Sequence, residues 1–138
     1  MIKHNCKTKI REFNLRATPA RTAVMRLLEK TKEPVDVNAI INYLKKENIK
    51  TDPCTVFRIM NIFTKKGITV QVQLEEGKAR YELKSLGDHH HLICERCEKI
   101  EDISDCVIPI MESKIRKKKH FLVKRHSLEF YGLCSNCR

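Results

Sequence analysis

Cys94-Glu95-Arg96-Cys97 and Cys134-Ser135-Asn136-Cys137 constrain this chain more than any other feature, because two Cys-x-x-Cys pairs can bring four thiolates onto one ion. Sulfur at about 2.3 Å from a d10 ion in four directions makes a closed tetrahedral zinc site. Such a site holds a fold and leaves no open position at which to activate water. The 36 residues between Cys97 and Cys134 exceed the roughly 15–20 of a zinc-ribbon loop, so the ion is expected to staple a small sub-domain rather than one hairpin. Disulfides and an iron–sulfur cluster are the alternatives. The first suits a cytosolic chain poorly, and paired spacing is less typical of the second.

The stretch between the pairs reads as a strand over 99–103, a helix from about 105 to 118, and a β-like run over 121–130. A unit this short is marginal alone, so pairing with a second copy is expected. Just ahead of it stands Asp88-His89-His90-His91. On a strand these residues alternate, sending His89 and His91 to one face and Asp88 and His90 to the other. Glu82 and Asp102 can join the first pair and His126 the second, giving imidazole and carboxylate sets suited to Fe, Zn, Mn or Ni. A solvent-exposed polar stretch, or structural hydrogen-bonded histidines, is the competing reading.

Charge separates the rest of the chain from this half. Lys+Arg 28 against Asp+Glu 17 leaves +11, an excess that favours a polyanionic partner, nucleic acid first. Residues 1–84 hold 18 Lys/Arg and 9 Asp/Glu, whereas residues 85–138 hold 10 and 8. Within the basic part, Thr18-Pro19 opens a helix running to about Lys30, Asp36 opens a second, and Asp52-Pro53 opens a third that stops at Gly67. After Gly67 the apolar period changes to two through Val70, Val72 and Leu74, then Glu75-Glu76-Gly77-Lys78 turns the chain back. Three helices and a hairpin are the order of a winged helix-turn-helix, whose third helix enters the major groove. Thr55, Phe57 and Arg58 are expected to face base edges or phosphates, and Arg16, Thr18 and Arg21 to lie near the backbone or a minor groove. The expected fold is therefore α+β. An N-terminal winged helix over 1–84 is followed by a small α/β, zinc-holding dimerisation domain over 85–138.

Several classes drop out. There is no His-Glu-x-x-His, glycine numbers only 4, and His89 and His91 lack the glutamate of a zinc deaminase, so no enzyme and no small-molecule substrate are expected. Cys54 and Cys106 stand isolated, as small packed residues usually do. No apolar run reaches the roughly 18 residues of a membrane span, and Met1-Ile2-Lys3-His4-Asn5 lacks the apolar core of a secretory signal. A cytoplasmic protein is expected. The rival to a metal-responsive DNA-binding regulator is a non-regulatory zinc-ribbon module that binds nucleic acid or protein.

Five stretches, in order and spacing, make the chain resemble the ferric uptake regulator (Fur) family of bacterial metal-dependent repressors. They are Leu15-Arg16-Ala17-Thr18-Pro19-Ala20-Arg21, Thr55-Val56-Phe57-Arg58-Ile59-Met60-Asn61, Arg80-Tyr81-Glu82, His89-His90-His91-Leu92-Ile93-Cys94-Glu95-Arg96-Cys97, and His126-Ser127-Leu128-Glu129-Phe130-Tyr131-Gly132-Leu133-Cys134. The resemblance implies a homodimer on double-stranded, A·T-rich palindromic DNA, with structural Zn2+ on Cys94, Cys97, Cys134 and Cys137. It implies a regulatory hinge site on Glu82, His89, His91 and Asp102, and a second site on Asp88, His90 and His126.

Three positions depart from the family pattern. Glu33-Pro34 stands where a histidine usually completes the hinge site, making Glu33 a candidate ligand. Pro109 stands where a glutamate often completes the second site, and Phe57 replaces a tyrosine. Among regulatory ions Fe2+ ranks first. Asp102 resembles the peroxide-sensing branch, and the absence of cysteine between Glu82 and His91 argues weakly against zinc sensing.

Overall fold

Each helix of the N-terminal unit starts where a side chain satisfies an amide left without a partner. In the computed structural model, which describes residues 5–74, 77–86, 89–103 and 108–138, α2 (Pro19–Lys30) is capped by Thr18, whose side chain accepts from Arg21 N at 3.2 Å. Asp36 caps α3 (Val37–Lys46) through Ala39 N at 2.8 Å, and Asp52 caps α4 (Pro53–Lys65) through Thr55 N at 2.7 Å. Gly67, at φ +79, then lets the chain leave α4 toward a strand.

One further helix precedes these three. α1 (Cys6–Glu12) is capped by Asn5 and tied to α2 at Glu29, which accepts from Cys6 Sγ at 3.3 Å and from Lys9 Nζ at 2.6 Å. Burial pushes the Cys6 thiol above its ordinary value, helped by that carboxylate. Ile10, Val24, Ile40, Leu44, Val56, Met60 and Phe63 are fully buried in a single cluster. Burial of each such side chain contributes about 1.5–3 kcal/mol.

The hairpin forms as β2 (Thr69–Gln73) and β3 (Ala79–Leu83), paired antiparallel with Gln71 opposite Tyr81. Its turn residues Glu75 and Glu76 lie outside the described residues. A two-residue strand, β1 (Val35–Asp36), adds to the other side of β3, giving the order β1-β3-β2. Helices α2 to α4 followed by this hairpin make a winged helix-turn-helix.

The second unit is built on another three-stranded sheet. β4 (His90–Cys94) lies between β5 (Ile100–Ile103), antiparallel to it, and β6 (Glu129–Gly132), parallel to it. α5 (Ile108–Lys119) runs between β5 and β6 and ends at His120, at φ +52. The expected β-run over 121–130 is corrected here. Residues 121–128 adopt no regular structure, and only the last part pairs, because the β4 ladder runs from His91 opposite Glu129 to Cys94 opposite Gly132. Met1–Leu86 and Gly87–Arg138 form separate compact units. Among the described residues, no helix is long and apolar enough to cross a membrane.

Candidate metal centres and nucleic-acid face

The N-terminal turn of α4 displays residues that its core-facing stripe leaves out. Val56, Ile59, Met60 and Phe63 are buried, while Phe57 is 50 % exposed and Arg58 is exposed beside it. The intervening positions therefore form an outward face. At the start of α2, Arg16 and Thr18 are exposed, and the Arg21 guanidinium donates to Arg16 O at 3.1 Å. That bond braces a basic corner next to a helix N-terminus.

Four sulfurs converge in the second unit. One ligand atom from each of Cys94, Cys97, Cys134 and Cys137 lies within 4.8 Å of the others, and Cys97 Sγ stands 3.7 Å from Cys134 Sγ. A tetrahedron with metal–sulfur bonds of about 2.3 Å has an edge of about 3.8 Å, so the spacing fits the ion. Each pair sits in a tight turn. Glu98 N donates to Cys94 O at 2.9 Å, and Cys137 N to Cys134 O at 3.0 Å. The Arg96 guanidinium donates to Cys137 O at 2.7 Å, fastening one turn to the other.

Protons distribute unevenly over the four sulfurs. Backbone N–H groups, first that of Cys97 and then that of Cys134, pull the Cys94 thiol down to about 6. The Cys137 thiol is pushed up to about 12, chiefly by its hydrogen bond with Cys134. Four thiolates packed this closely repel one another, and a divalent cation is what allows all four to ionise.

Imidazoles and carboxylates gather separately. The His89 and His91 rings meet edge-on with centroids 4.9 Å apart. His91 is 5 % exposed, and its Nε2 stands 3.8 Å from Asp102 Oδ1, directly across the β4–β5 ladder. His90 points elsewhere: its ring lies 5.1 Å from that of His126, whose Nδ1 is 3.1 Å from Glu112 Oε1 on α5. Asp88 lies outside the described residues, as does Cys106. In the first unit, Glu82 is buried on β3 and Glu33 is exposed ahead of β1.

The model of the ferric uptake regulator family matches residues 12–131. The chain belongs to that family. The ferric uptake regulation protein of Bordetella parapertussis is 31% identical over 134 residues, 96% of each chain. Among solved structures, the ferric uptake regulator of Francisella tularensis with iron has a TM-score of 0.80 at 27% identity, covering 91% of this chain and 96% of that one. The Campylobacter jejuni peroxide stress regulator has 0.72 at 25%, covering 95% of each. Fur-family proteins are metal-responsive transcriptional regulators, not enzymes.

Within this Fur-family chain, Glu112 is the residue that sequence reasoning missed. Pro109 takes the place where the resemblance sets a glutamate, and a proline suits the first turn of α5. Three residues on, a side chain returns to the same helix face, and there Glu112 meets His126. The spacing of three from Pro109 was the available signal.

Proposed function

We propose that the protein is a dimeric repressor of A·T-rich palindromic operators, active on DNA when a regulatory cation is bound, and that this cation is Fe2+. Support comes from the presence of two donor sets of different softness in one small unit. The four cysteines suit structural Zn2+, whereas His89, His91 and Asp102 suit a harder divalent ion. The observation that carries the reading is the buried His91 imidazole with a carboxylate across the strand pair and a second imidazole beside it.

Glu82 is proposed as a further ligand of that ion, with Glu33 a candidate to replace the histidine this chain lacks. His90, His126 and Asp88 are proposed for the second site, with Glu112 supplying a carboxylate. When bound, a divalent cation supplies positive charge that holds imidazoles and carboxylates in one arrangement. Ligands drawn from both units would couple their positions, so the ion and the operator tighten each other reciprocally. On DNA, Thr55, Phe57 and Arg58 are proposed to meet base edges, and Arg16, Thr18 and Arg21 the backbone. Phe57 brings no hydroxyl, so its contact is apolar, as with a thymine methyl.

The test is selection from random duplexes by the zinc-loaded protein, with chelator and with Fe2+, Mn2+ or Zn2+ added back. A palindromic A·T-rich site enriched only with added ion, and best with Fe2+, is expected. Enrichment of no sequence under any condition, at one zinc per chain, favours the zinc-ribbon module instead. The Asp102 carboxylate beside His91 favours a second reading, peroxide sensing. Mass spectrometry of the iron-loaded protein after peroxide would then find one oxygen added to His89 or His91, and none in the manganese-loaded form.

A further inference from the structure

Charge in the second unit is segregated along the chain. Between positions 113 and 128 there are seven Lys/Arg and no Asp/Glu, while the rest of 87–138 holds three Lys/Arg and eight Asp/Glu. Arg116 to Lys119 form the last turn of α5, and successive residues on a helix are rotated by about 100°, so these four side chains ring the helix end. No face of that turn escapes the charge. Lys114 precedes the ring, Lys124 and Arg125 follow it, and all seven residues are exposed.

Among the described residues, none of these seven has an acidic partner within 4.0 Å. The unit has acidic groups, but two of them pair elsewhere: Glu101 with Lys99 and Glu112 with His126. Cations at a helix C-terminus are stabilising through the macrodipole, but that effect fades within the last turn. It reaches the four of the last turn and leaves Lys114, Lys124 and Arg125 outside it. Seven exposed cations with no acidic residue interleaved leave a local positive potential that attracts a polyanion.

We infer that the cationic collar at the end of α5, with Lys124 and Arg125, is a second contact surface for the phosphate backbone of duplex DNA, separate from the winged helix. The inference rests on the DNA-binding reading above. Duplex DNA is chosen over an anionic membrane because the last turn of α5, where the charge is concentrated, is basic on every side and offers a bilayer no apolar side of its own. Lysine side chains meet phosphate as point charges without reading bases. The surface should therefore add affinity and salt dependence but no sequence preference.

The experiment compares the full-length, zinc-loaded, Fe2+-supplied protein with two variants, R116Q/K117Q/K118Q/K119Q and K124Q/R125Q, by fluorescence anisotropy. Two duplexes are used, one carrying the selected operator and one scrambled, at several salt concentrations. Each phosphate contact removed should lower the slope of log affinity against log salt by about 0.9. The expected result is a slope reduced by about two or more per chain in the quadruple variant, a smaller reduction in the double one, and an unchanged operator-to-scrambled ratio. Zinc content and dimer mass should stay as in the parent.

Unchanged slopes and affinities in both variants overturn the inference. So does unchanged DNA binding accompanied by lost binding to phosphatidylserine vesicles, which assigns the surface to a membrane. A parent protein that shows salt-dependent binding but no operator preference overturns the repressor reading while leaving the collar's slope change measurable.

Discussion

Arg58 can be distinguished from its basic neighbours by what its loss does to specificity. It lies exposed on the first turns of α4, next to Phe57. Arg58→Ala is expected to weaken operator binding by about 1–3 kcal/mol and to relax preference at one base position if the guanidinium reads a guanine edge. Binding measured over a set of singly substituted operators checks this, and a uniform loss would make Arg58 a phosphate contact instead. Its outward placement was legible from the 3.6-residue period, as was that of Phe57. Glu112 was not, because Pro109 drew attention to a vacant position instead of to the next turn of the same face. His126 finds that carboxylate only once α5 is folded.

α4 depends on Asp52 at its start, and that dependence is open to titration. The Thr55 amide, followed by the Thr55 hydroxyl, holds the Asp52 carboxyl below its ordinary value. A carboxyl lowered in the folded state stabilises fully above the unfolded value, near pH 4, and the contribution disappears as pH falls through the lowered folded value. Asp52→Asn keeps a capping oxygen without the charge. The parent is therefore expected to melt above D52N at pH 7, with the gap closing below about pH 4, as thermal unfolding followed by circular dichroism would show. The three capped helices and the hairpin were readable because caps and periodicity are local signals. α1 was not: Cys6 and Ile10 are its only buried positions, and their partners lie on other elements. β6 was readable only in part, since alternation continues back to Phe121 while the register of β4 reaches only as far as Glu129.

The whole chain divides its stability between two cores of unequal kind. Residues of Met1–Leu86 share a large apolar cluster, whereas among the described residues of Gly87–Arg138 the buried apolar side chains are Cys94, Ile100 and Ile108. Cys137→Ser, or removal of the ion by chelator, is expected to unfold the second unit and abolish the dimer, because binding energy there is also folding energy. The first unit should keep its own cooperative transition. Calorimetry with zinc assay and sedimentation checks this, and a retained dimer of unchanged zinc content would contradict it.

The parallel pairing of β4 with β6 sets the two cysteine turns side by side, with Glu95 N bonded to Gly132 O at 2.8 Å. Everything from Glu98 to Leu133 is thus a bight of chain fastened at its neck. Scission inside that bight, for instance by trypsin at the exposed lysines closing α5, severs the backbone without parting the molecule while the ion is in place. The nicked halves should travel as one particle on a native gel and come apart once a chelator removes the ion.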